Sequence, residues 1–147
     1  MRRLGIILAT ISLSLATAAP AQTVGFDRVA GEAARKATAL YLREGLAGLR
    51  EAFDGCIRDT ARSKKAASAT SCAAMGWTMV YLDLLAVDAL HIPPTIDVDG
   101  TSSRISAAMV SAGLTAADAR RLRPFIVQFV DLGLQAPPQT ARAGGRT

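Results

Sequence analysis

Apolar residues recur at helical spacing through most of the chain, and four or five helices follow from that pattern. From Val24 to Phe53 two apolar stripes run along one long helix, or along two helices joined near Gly45. Phe26, Val29, Ala33, Ala37 and Leu40 form the first stripe; Leu42, Leu46, Leu49 and Phe53 form the second. Steps of three and four keep each set on one face. The two faces are offset, which predicts a bend or two different packing partners. Arg28, Glu32, Arg35, Lys36, Arg43, Glu44, Arg50 and Glu51 make the wet side, where opposite charges three or four apart each add a few tenths of a kcal/mol. Asp54-Gly55 is expected to end the element, because glycine suits the left-handed position that closes helices.

Cys56 to Ser71 is polar and basic and reads as a connecting loop, with Thr70 or Ser71 able to cap a second helix. That helix, Cys72 to about Leu90, is apolar nearly all round: Met75, Trp77, Met79, Val80, Tyr81, Leu82, Leu84, Leu85 and Val87. A helix without a wet face is either a buried central helix or a membrane span. Asp83 in its middle favours the core, since a carboxylate at the bilayer centre is costly. Asp83 and Asp88 are expected to find arginine or hydroxyl partners. His91-Ile92-Pro93-Pro94 stops the helix.

Thr95 to Gly100 reads as a loop. A third helix, capped by Thr101, Ser102 or Ser103, runs to Ala112 with Ile105, Ala108, Met109 and Ala112 on one face, and Gly113 closes it. Thr115 and Asp118 are spaced as a capping pair for a fourth helix. Pro124 lies inside that helix or opens a fresh one. Phe125, Ile126, Phe129, Val130 and Leu132 are assigned to its core face, with Gly133 as its end. The expectation is an all-α fold: a small bundle of four to five helices around the central apolar helix, spanning residues 22–134 and carrying one disulfide. Residues 135–147 hold Pro137-Pro138 and Gly144-Gly145 with almost nothing to bury, and are expected to be disordered.

The start of the chain changes the setting. Arg2 and Arg3 precede an apolar run from Leu4 to Ala19, followed by Ala19-Pro20-Ala21. A charged start, an apolar stretch of this length and an Ala-x-Ala site together make a secretory signal peptide over residues 1–21. The run is short for a span, which takes about 20 apolar residues, and no cysteine stands at the junction to carry a lipid. Cleavage after Ala21 leaves a periplasmic or secreted protein that is not transmembrane. The formal charge of +5 falls to +3 with the loss of Arg2 and Arg3. That excess is too small and scattered for a nucleic-acid binder, which needs a dense basic stripe.

Export gives the two cysteines meaning. In an oxidising compartment an even count in a small chain favours a bridge, here Cys56 to Cys72. A redox pair would stand two apart, as C-x-x-C, and these are separated by sixteen positions. The bridge also ties the ends of a cationic segment in which Arg58, Arg62, Lys64 and Lys65 face Asp59 alone. Such a loop would meet an acidic protein patch or make peripheral contact with an anionic surface.

Other chemistry is sparse. Met75, Trp77, Met79, Tyr81 and His91 are the candidate lining of a pocket for a small apolar ligand or a soft metal ion. Methionines four apart in so apolar a helix read first as core fillers, and the pocket is the secondary reading. No metal ligand set or cofactor motif is assigned: C-x-x-C-H is absent, and Asp97-Val98-Asp99-Gly100 lacks the first and twelfth ligands of a calcium loop. His91, the one histidine, suits the C-terminal end of the apolar helix. Glu32, Glu44 and Glu51 lie among arginines on a wet face, a poor setting for the raised pKa that an envelope hydrolase needs. No catalytic residue is assigned. The sequence supports a small binding or accessory protein acting through a protein partner in the envelope, with a core-ligand binder and then an envelope hydrolase as alternatives.

Overall fold

The computed structural model describes residues 21–135, which form four helices: α1 (Ala21–Ser63), α2 (Ala66–Leu90), α3 (Val98–Ser111) and α4 (Ala116–Gln135). The expected leader, but for Ala21, and the expected tail, but for Gln135, lie outside the described residues. α2 packs against all three other helices and occupies the middle of the bundle. It is long and apolar enough to cross a membrane, yet half of that window is buried inside the protein.

α1 is two limbs. Gly45 breaks it with φ 69° and ψ −170°, a backbone conformation open to glycine and strained for residues with a Cβ. The break explains the offset stripes. The first limb buries Ala30, Ala33, Ala34 and Ala37, and its Gly31 lies against the Phe129 ring of α4. The second limb buries Leu49 and Phe53. Leu42, assigned to the second stripe, falls before the break and is 64% exposed.

Asp54-Gly55 does not end α1. The helix continues two further turns, because Ile57 and Thr60 extend the face of Leu49 and Phe53, and Thr60 is fully buried. The expected 56–71 loop is therefore mostly helix. The chain reverses at Lys64 (φ 50°) and Lys65, and α2 starts at Ala66, six residues before Cys72. Ala66, Ala67 and Ala69 are strong helix formers. Thr70 does not cap; its hydroxyl donates back to the Ala66 carbonyl at 2.9 Å.

Asp97, rather than Thr101, Ser102 or Ser103, caps α3: its Oδ1 accepts from the Gly100 amide at 3.0 Å. Ile105, Ala108 and Met109 are buried as expected, and Gly113 follows the helix with φ 78°. At α4 the Thr115–Asp118 cap forms, with both the Thr115 amide (2.8 Å) and hydroxyl (2.7 Å) donating to Asp118 Oδ2. The helix passes unbroken through Pro124, which faces solvent, and runs past Gly133 to Gln135. Its core stripe is Ala119, Leu122, Ile126 and Val130. Phe125 is not on it: that ring is 37% exposed and leans on Phe129, centroids 5.7 Å apart.

Candidate functional site

The Cys56–Cys72 bridge is present, with Cα atoms 5.6 Å apart. It clamps α1 to α2 two turns from the reversal, and the buried Thr60 hydroxyl lies 3.1 Å from Cys72 Sγ. Beyond it stands the tip of a helical hairpin. Arg58, Arg62, Lys64 and Lys65 are all exposed there, and Asp59 reaches Arg62 at 3.9 Å, both nearly fully solvated. Two helix ends meet at this tip. The cations complement the carbonyl end of α1 and oppose the amide end of α2. That α2 terminus has Lys65 at its cap position with no side-chain cap and no acidic residue in its first turn. An uncapped amide end beside four cations is a positively charged, rigidly held projection.

The candidate ligand-lining residues are distributed around α2. At about 100° per residue, Met75 and Met79 share one face, and Trp77 and Tyr81 share nearly the opposite one. Trp77 and Tyr81 meet α4: Arg123 stacks over the indole at 5.2 Å, and the Tyr81 hydroxyl donates to Asp131 Oδ1 at 2.9 Å. That hydrogen bond, with burial and the Asp131 charge, pushes the phenol above its ordinary pKa. Met79 instead faces α1 and α3. His91 is exposed at the far end, in the left-handed conformation (φ 54°) that closes α2. Two polar atoms of α2 are buried with no partner, Trp77 Nε1 and Thr78 Oγ1. Glu32, Glu44 and Glu51 all face solvent. No group of three His, Cys, Asp or Glu side chains converges among the described residues.

A second region has no local signature in sequence. Asp83, 3% exposed, reaches the α2–α3 connection. Its Oδ2 accepts from the amides of Thr95 (3.0 Å) and Ile96 (2.9 Å), and its Oδ1 from the Thr95 hydroxyl (2.7 Å). Arg50 of α1 donates to the Thr95 carbonyl at 2.8 Å, and Arg104 of α3 pairs with Asp54 of α1 at 2.6 Å while lying over the Phe53 ring at 4.8 Å. Between these contacts is an open cleft of about 280 Å³, lined by Arg50, Asp54, Met79, Ile96, Asp97, Thr101 and Arg104 with the Thr95 and Gly100 backbone. No family model, no curated protein and no solved structure matches the chain.

Proposed function

We propose that this chain is an exported accessory protein that works by docking its basic hairpin tip on an acidic patch of a protein partner in the cell envelope. The observation that carries the reading is the tip itself: Arg58, Arg62, Lys64 and Lys65 exposed on a reversal held by Cys56–Cys72, against one weakly engaged carboxylate. A stiff projection loses little entropy on docking. Clustered exposed charge of one sign mainly speeds and orients encounter with a complementary surface. The leader sequence and the bridge support an oxidising location outside the cytosol.

The test compares the native chain with an Arg62→Glu/Lys64→Glu/Lys65→Glu variant, each cross-linked in envelope extract. These side chains are exposed, so helix content and the bridge should survive reversal of their charge. The expected result is a specific partner captured by the native chain, captured less as salt rises, and lost in the variant. Identical cross-links from both proteins would refute the docking role of the tip.

A further inference from the structure

We infer that the cleft between the second limb of α1, the α2–α3 connection and the start of α3 binds a small zwitterion bearing a short apolar group, a free α-amino acid being the simplest case. Its charges come in matched pairs. Arg50 and Arg104 supply two guanidinium groups, Asp54 and Asp97 two carboxylates. The contacts already present use only part of each group. Arg50 spends Nη2 on the Thr95 carbonyl, Arg104 spends Nη2 on Asp54 Oδ1, and Asp97 spends Oδ1 on the Gly100 amide. A guanidinium offers five donors and a carboxylate about four acceptor positions, so most of the capacity remains open. Those same contacts hold the four groups in place before any ligand arrives, and the Phe53 ring beneath Arg104 sets the plane of its guanidinium.

A further group points to a ligand. Thr101 lines the cleft, and its hydroxyl, unlike the sealed Trp77 Nε1 and Thr78 Oγ1, is not shut away from water although the residue as a whole is only 6% exposed. A ligand oxygen or ammonium in the cleft would take the place of the water at that hydroxyl. Met79 and Ile96, both buried, give the cleft an apolar floor.

The balance of charge selects the ligand class. A simple anion attracted by Arg50 and Arg104 meets Asp54 and Asp97; a simple cation meets the reverse. A molecule carrying both charges within a few atoms satisfies both pairs, its carboxylate on the arginines and its ammonium on the free Oδ2 atoms. Size argues the same way. The volume lies just below the ~300 Å³ at which pockets for drug-sized ligands begin.

The test titrates the purified, ¹⁵N-labelled protein with L-leucine, with 4-methylpentanoate, which lacks the ammonium, and with 3-methylbutylamine, which lacks the carboxylate. Amide shifts are followed to about 10 mM ligand, enough to detect millimolar affinity. Leucine should give saturable shifts confined to Thr95–Arg104 and nearby α1 amides, with each single-charge analogue weaker by at least about tenfold. Thr101→Val replaces the hydroxyl with a methyl of similar size. It should melt near the native temperature while weakening leucine about tenfold, and Arg50→Gln should weaken leucine and 4-methylpentanoate together. Absence of saturable leucine shifts, equal binding of 4-methylpentanoate, or native affinity in a folded Thr101→Val protein would each overturn the assignment.

Discussion

Asp83 holds the α2–α3 connection, and its two oxygens do different work. Both main-chain donors, the amides of Thr95 and Ile96, converge on Oδ2, while Oδ1 takes only the Thr95 hydroxyl. Asp83→Asn can therefore keep its carbonyl oxygen at the Oδ2 position and turn its NH₂ toward the Thr95 hydroxyl, which reverses from donor to acceptor. All three hydrogen bonds survive and only the charge assistance goes. A hydrogen bond to an ion contributes about 1.5–3 kcal/mol and a neutral one about 0.5–1.5. The loss is offset by no longer burying a charge, so Asp83→Asn should cost about 1–2 kcal/mol. Asp83→Ala removes the acceptor altogether. The buried Ile96 amide and the partly buried Thr95 amide lose their partner, at up to about 1–3 kcal/mol each, and a small void opens. Its cost should be about 3–5 kcal/mol.

Urea unfolding followed by circular dichroism at equal slope measures both values. At about 4 °C per kcal/mol for a domain of this size, the alanine variant should melt some 12–20 °C lower and the asparagine variant about 4–8 °C lower. Amide exchange adds a local readout: Thr95 and Ile96 should lose protection in the alanine variant and keep it in the asparagine variant. Equal destabilisation by the two substitutions would refute the reasoning. It would mean that the carboxylate charge, not the geometry of acceptors, holds the connection.

Two glycines of the α1–α2 hairpin should respond to alanine with opposite signs. At Gly76 a Cβ would sit 2.7 Å from the Phe53 ring and 2.8 Å from Ile105 Cδ1, both fully buried; overpacking of about 1–3 kcal/mol outweighs a propensity gain of about 1 kcal/mol, so Gly76→Ala should lower the urea midpoint. At Gly55 the nearest atom is an Arg58 nitrogen at 3.9 Å, so Gly55→Ala should raise stability by about 1 kcal/mol, and a loss would refute the continuous helix there. Cys56→Ser/Cys72→Ser opens a loop of sixteen positions and should cost about 3 kcal/mol; free thiols at these positions in protein from an oxidising compartment would contradict the bridge. The hydrogen bonds from Thr115, first its hydroxyl and then its amide, hold the Asp118 carboxyl below its ordinary pKa, helped by Arg121 and opposed by burial. A depressed folded pKa stabilises above the unfolded value of about 3.9 and is lost as pH falls through the folded value, so Asp118→Asn should flatten the acid limb of a stability–pH profile measured between neutrality and about pH 2.

Wherever burial repeats at helical spacing, the sequence is legible. The central helix, the Ile105–Met109 face, the Thr115–Asp118 cap, the break at Gly45 and the Cys56–Cys72 pairing all rest on local pattern or on a count of two cysteines. Its misreadings come from residues with two meanings. Gly55 is a stop signal only if nothing beyond it packs, and Thr60, a polar letter, is fully buried and carries the helix onward. Phe125 matches the period of a core face, yet Leu122, one turn earlier and about 60° round, defines that face, leaving the ring on its shoulder.

The cleft was illegible for a different reason. Its polar contacts join residues 45 and 50 positions apart, Arg50 to Thr95 and Asp54 to Arg104. Taken alone, Arg50 reads as part of a wet helix face, Asp54 as part of a helix stop and Thr95 as part of a loop. Only the hairpin, by setting α1 beside α2, and Asp83, by pulling the connection inward, bring them to one place. The hairpin tip differs: its cations are contiguous, so their charge was readable, but their rigidity was not, because the same letters were assigned to a loop. Both regions therefore depend on one structural fact, the continuation of α1 past Gly55. That continuation carries the tip out to Lys64 and leaves Asp54 in mid-helix, facing Arg104. A helix-breaking Gly55→Pro substitution should consequently disturb both at once, weakening charge-dependent cross-linking at the tip and leucine shifts in the cleft, whereas the stabilising Gly55→Ala should leave both intact. Separate responses of the two regions to Gly55→Pro would show that they do not share this support.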